Sequence, residues 1–116
     1  MTVLAGLEDR ARVLRQVPAG RRVEGTPMLA EVTGPTFACR LAVRSTAEEV
    51  GAAPGDQRVV TRGRVTTGPG VDVRPSDRVE VTVGREQLVY EVTTAPEPLR
   101  VTGRIVGLAF DVVRVG

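Results

Sequence analysis

At 116 residues the chain has the length of one domain, and its apolar share of 41% supports a core of modest size. Sixteen basic residues, every one of them Arg, stand against 14 acids for a net charge of +2, which excludes a general polyanion binder. Val occurs 22 times and Thr 12 times, while aromatics are limited to Phe37, Tyr90 and Phe110. β-branched side chains are stiff at χ1 and sit well on a pleated surface, so the expected fold is mainly β.

In chain order, the first segment carries helical spacing. Leu4, Leu7, Ala11, Leu14 and Val17 recur at steps of three and four, Thr2 stands at a capping position, and Pro18 with Gly20 closes the run. The spacing predicts a helix over residues 3–17, an N-terminal unit of residues 1–20 attached to a body of residues 21–116 within a single domain. From Arg21 onward the period becomes two. Strands are expected over residues 27–33, 36–43, 57–66, 77–83, 87–93, 99–106 and 108–115, with turn chemistry at Gly34-Pro35, Pro54-Gly55-Asp56, Gly68-Pro69-Gly70, Gly84-Arg85 and Pro96-Glu97-Pro98. Gly103 and Gly107 mark a bulge or a break in the last strand pattern. The resulting body is a small six- or seven-stranded barrel or sandwich. Its core draws on Val79, Val81 and Val83 or the opposite alternation, with Leu88, Tyr90 and Val92.

Residues 44–57 interrupt this pattern. Ser45–Glu48 and Thr46–Glu49 have the capping-box spacing, which predicts a helical turn within a long loop.

Catalytic chemistry finds little to work with. There is no His, and the single Cys39 lies in an apolar run, so zinc sites and Cys/His or Ser/His nucleophile systems cannot be assembled. Cys39 reads as a buried structural thiol. Ser45 and Ser76 adjoin turns and read as caps, Glu48-Glu49 as a solvated acidic turn, and Gly68-Pro69-Gly70 lacks the ending of a phosphate loop. The expectation is therefore no enzyme, no cofactor, no metal and no small-molecule substrate. No stretch approaches the roughly 18 apolar residues of a membrane span, nor is there a signal-peptide pattern, so a soluble protein made in the cytoplasm is expected.

The segment from Phe37 through Val115 resembles the small head-closure, or stopper, proteins of long-tailed bacteriophages. FACRLAVRSTAEEVGA resembles their segment in which a Cys-Arg-Leu strand leads into a helical turn. VTTGPGVDVRPSDRVEV is similar to their passage from an extended stretch through a Gly/Ser-Asp turn into a strand, with Ser76 where Gly is usual. LVYEVTTAPEPLRVTGRIVGLAFDVVRV resembles their closing strands. The resemblance implies a structural virion protein assembled in the host cytoplasm. Its copies would form a ring, six-fold or a multiple, beneath the portal and adaptor proteins, close the DNA channel and offer a surface to the tail protein. The packaged DNA end would then lie at the lumen. On this resemblance Thr46, Glu48, Glu49, Val50 and Asp56 of the 44–57 loop are the candidate channel- or neighbour-facing residues, and Arg58, Arg62 and Arg64 on the following strand the candidate inter-subunit charge contacts. An adaptor or tail-completion protein of the same connector is the nearest alternative, and a small nucleic-acid-binding β-barrel the alternative from another class.

Overall fold

Alternation beginning at Ala11 decides the first element: Ala11 and Val13 are buried and Arg12 between them is exposed, the two-residue period of a strand. The computed structural model describes residues 6–49, 55 and 57–115. Its elements are all strands: β1 (Asp9–Arg21), β2 (Pro27–Thr33), β3 (Phe37–Glu49), β4 (Gln57–Thr67), β5 (Arg78–Val83), β6 (Glu86–Val92), β7 (Glu97–Val101) and β8 (Arg104–Val115).

Each pairing is antiparallel. Starting from β1, hydrogen-bonded neighbours run β3, β4, β8, β6 and β5, and β5 returns to β1 through the Ala11↔Val81 and Val13↔Val79 registers. Six strands thus close a ring, with β2 added to β1 and β7 added to β8 outside it. Closure pairs the six ring strands with one another and leaves β2 and β7 as the outer edges of the sheet.

Two expectations are corrected here. The predicted helix over residues 3–17 does not form: from Asp9 this segment is strand, and residues 3–5 lie outside those described. The helical spacing of Leu7, Ala11, Leu14 and Val17 loses to ladder bonds offered by three partners, β2, β3 and β5. Where the expected N-terminal unit of residues 1–20 is described, it is strand from Asp9 onward and forms part of the barrel wall, and the strands among the described residues number eight. Pro18 is tolerated because the Gly34 N–H donates to the Val13 carbonyl on the β2 side, so by alternation Pro18 turns its missing N–H toward the other edge. That edge is paired with β5 only over Arg10–Leu14.

The second correction concerns residues 45–49, which continue β3 instead of making a helical turn. Their backbone pairs residue by residue with β4, from Ser45↔Thr61 to Glu49↔Gln57, and the Ser45 and Thr61 hydroxyls share a 2.8 Å hydrogen bond. A continuous ladder outcompetes one capped turn. Of the rest of the expected loop, residues 50–54 and 56, Val50 and Asp56 among them, lie outside the described residues, and Gln57 already belongs to β4.

The core fills the ring. Phe110, Val65, Val79, Val81, Val92, Val112 and Cys39 are almost wholly enclosed, Tyr90 joins them, and Leu88 packs alongside; Val83 is exposed. Burial pushes the Cys39 thiol up to about 11, in keeping with an inert structural residue. The break between the last two strands falls at a two-residue turn, Thr102-Gly103, with both φ positive as a type I′ hairpin requires, so the expected strands 99–106 and 108–115 are instead Glu97–Val101 and Arg104–Val115. Opposite Gly107 the β7–β8 register slips by one residue, the bulge expected there.

Candidate functional site

Strand polarity places the hairpins. β1 and β3 are antiparallel neighbours, so the β1–β2 hairpin leaves the barrel at one end and the β3–β4 hairpin at the other. β7 runs parallel to β1, which puts the β7–β8 turn at the same end as the β1–β2 turn. The radius of gyration, 16.7 Å, exceeds the roughly 13 Å of a compact chain of this length, as projecting arms demand.

The first arm contains Arg15–Arg21 of β1 and all of β2, every residue of which is exposed, with Leu29 at 63% and Val32 at 50%. β2 runs directly into β3 along one edge of β1, interrupted only by Gly34-Pro35-Thr36. An isolated two-stranded ribbon is marginal in water, and Arg15 anchors this one. Its Nε and Nη2 donate to the Asp77 carboxylate at 3.0 and 2.8 Å, and its Nη1 donates to Asp72 Oδ2 at 3.0 Å. Asp77 sits in the turn Arg74-Pro75-Ser76-Asp77, closed by Asp77 N–H to the Arg74 carbonyl at 3.1 Å, and its Oδ2 also accepts from the Arg74 N–H at 2.9 Å. Pro75 followed by Ser76 at φ 74° makes this a type II turn, in which Ser occupies the position glycine prefers. Burial raises the Asp77 carboxyl, but the Arg15 and Arg74 hydrogen bonds outweigh it and hold the group below its ordinary range. Arg15 likewise lowers Asp72, and the two acids raise Arg15 itself.

Beside this anchor an apolar groove of about 410 Å³ opens between the arm and the β4–β5 connection, lined by Val17, Val32, Pro35, Phe37 and Val71, with Asp72 also on its wall.

The second arm is the far half of β3–β4. Its odd positions, Val43, Ser45 and Ala47 against Gly63, Thr61 and Val59, form an uncharged face, with Val43 51% and Val59 49% exposed. The even positions collect the arginines. Arg58, Arg62 and Arg64 all fall on this face of β4, and Arg44 stands directly opposite Arg62. Like charges directly opposed across a ladder are unfavourable. Arg64 is engaged within its own chain, by Glu97 at 2.8 Å and Asp111 at 3.0 Å, and both contacts raise its pKa. A cleft of about 510 Å³ lies here, with Arg44, Arg62, Arg64, Thr93 and Asp111 on its walls.

Of the candidate loop residues, Thr46, Glu48 and Glu49 are therefore in β3, with Glu48 in register with Arg58. The arginines of β4 share a face, as their even spacing allows. Missed altogether were Arg15, Asp72 and Asp77; the Pro-Ser-Asp turn signalled one of the three, and nothing local signalled the others. Among the described residues no group of three or more His, Cys, Asp or Glu could hold a metal, and no helix is long and apolar enough to cross a membrane. No protein-family model, curated protein or solved structure matches the chain.

Proposed function

We propose that this protein is a structural subunit of a bacteriophage head–tail connector, of the stopper type, acting as a ring of its own copies between portal and adaptor proteins above and a tail protein below. The observation that carries this reading is the pair of hairpin arms leaving opposite ends of one small barrel, one beside an apolar groove and the other with an exposed uncharged face. A subunit that must join one partner above and another below needs two such ends, whereas a self-sufficient monomer would fold them in. The resemblance of Phe37–Val115 to stopper proteins gives the assembly its particular form, and an adaptor or tail-completion role in the same connector uses the same surfaces. The β3–β4 tip is the candidate for the lumen, close to the packaged DNA end.

Complementation provides the test. Phage particles assembled without this chain should package DNA and then lose it, or fail to join tails, and purified chain added to the extract should restore infectious particles. Complete, DNA-retaining particles formed in its absence would refute the reading.

A second reading, a small nucleic-acid-binding barrel, draws on Arg44, Arg58 and Arg62 sharing one face. It requires DNA retention by the isolated chain with a steep salt dependence, which counterion release imposes on phosphate binders.

A further inference from the structure

We infer that two copies of the free chain pair through β2, edge to edge and antiparallel, with Ala30 of one opposite Ala30 of the other. β2 ends the path of strands and lies alongside β1 alone. One bond fixes which way its backbone groups point. The Gly34 N–H donates to the Val13 carbonyl, so Val13, Arg15 and Val17 bond toward β2, and Val32 and Ala30, in register with Arg15 and Val17, bond back. Leu29, Glu31 and Thr33 therefore turn their N–H and C=O groups outward, where no backbone group among the described residues meets them. Natural proteins blunt such an edge with proline, charge or shortness. Three other unpaired stretches carry these devices: β7 has five residues and holds Pro98 and Arg100, the free side of β1 holds Pro18, and residues 43–49 of β3 hold Arg44, Glu48 and Glu49. β2 holds one charge, Glu31, which Arg78 engages, and its one proline is its first residue. Met28, Leu29 and Val32 are 40, 63 and 50% exposed along it.

A second copy of β2 fits this edge in one register. Outward groups bond only to outward groups, so the two-fold axis falls on a residue of the strand. Centred on Ala30, the pairing overlaps all seven residues, Pro27 to Thr33, and sets Met28 against Val32 and Leu29 against Glu31 of the second copy. Centred on Glu31 it is shorter and brings two carboxylates face to face, which is unfavourable. Pro27 then falls at the end of the ladder, where its missing N–H costs one bond. Met28, Ala30 and Val32 share a face with Val17, and pairing doubles that apolar row across four strands. A two-stranded ribbon is marginal in water, and a wider sheet with an apolar face is not. An isologous contact closes at two copies and cannot repeat around a ring. The dimer is thus a state of the free chain, separate from the connector ring, and it covers the edge of the β1–β2 arm until another partner takes its place.

The experiment is a cysteine scan of the full chain, Leu29→Cys, Ala30→Cys and Glu31→Cys, each oxidised with diamide, with wild type as the control for buried Cys39. At a non-hydrogen-bonded antiparallel pair the Cα atoms stand about 4.5 Å apart, within the reach of a disulfide. Ala30→Cys should therefore link into a covalent dimer about tenfold or more faster than either neighbour, whose sulfurs lie out of register. Sedimentation of the reduced wild type should show monomer and dimer in exchange at micromolar concentration and nothing larger, as befits a small interface. Leu29→Pro removes an outward N–H and no bond within the chain. Its circular dichroism should stay that of wild type while its dimer weakens about tenfold or more. Linking that favours Glu31→Cys, or that is equal at all three positions, would overturn the register, and a wild-type chain that is monomeric throughout would overturn the dimer. Neither result bears on the ring, which is read on portal–adaptor complexes.

Discussion

Arg15 and Asp77, 62 residues apart in the chain, meet through a two-pronged ion pair in which Nε lies 3.0 Å and Nη2 2.8 Å from the carboxylate. Asp77 is only 6% exposed, so this contact is partly shielded from water and joins the base of an exposed arm to the turn that starts β5. Together with the ion pair of Arg78 on β5 with Glu31 on β2, it ties the arm to the barrel.

Replacing Asp77 by Ala leaves Arg15 with Asp72 as its carboxylate partner and frees the Arg74 N–H as well. Arg15 keeps Asp72, so the cost is that of charge-assisted hydrogen bonds lost at a partly buried site, about 2 kcal/mol. Urea unfolding of the variant should show a lower midpoint by that amount with an unchanged slope; a loss within experimental error would show that the arm is anchored by other means.

The same pair sets the acid response. Asp77 and Asp72 both titrate below their ordinary value in the folded chain, so the unfolded chain takes up protons first as pH falls. Their contribution is present in full above about pH 5 and is lost as pH drops below about 4. The melting temperature should be level from pH 5 to 7 and fall below that, and the Asp72→Asn, Asp77→Asn double variant should show a shallower decline.

Ser76 holds φ at 74°, a region that strains any residue with a Cβ. Relief of that strain, about 1–3 kcal/mol, exceeds the extra unfolded-state freedom of glycine, about 0.5–1 kcal/mol. Ser76→Gly should therefore stabilise the protein by about 0.5–1 kcal/mol, measured by the same unfolding assay.

Gly63 gives the opposite result. A Cβ there would come within 2.9 Å of Val43 Cγ1 and 3.0 Å of the Ala42 carbonyl oxygen, and the carbonyl belongs to the β3–β4 ladder and cannot move aside. Gly63→Ala should destabilise by about 1–3 kcal/mol, the usual cost of overpacking, visible as a lower melting temperature.

Most of the barrel was legible before any coordinates. β2, β5 and β6 follow from alternation of Val and Leu with polar residues between glycine- and proline-bearing turns, and Val79, Val81, Tyr90 and Val92 are in the core as that alternation requires. β1 was not legible, because Leu7, Ala11, Leu14 and Val17 fall by composition at helical steps, and the contest is settled by strands that lie distant in sequence. Residues 45–49 misled for a related reason: capping-box spacing is local, and the opposing strand is not. The Arg15 clasp and the groove depend on residues brought together only by closure of the ring, so no spacing could announce them. The arginines of β4 were visible as a group, but that Arg64 is held by Glu97 and Asp111 required the fold.

The most direct test of the connector assignment is electron microscopy of purified chain incubated with isolated portal–adaptor complexes. A closed ring of this chain seated on the adaptor is expected, six-fold or a multiple, with the β1–β2 and β3–β4 arms at its two faces. Complexes that remain bare while the chain stays monomeric in solution would contradict it.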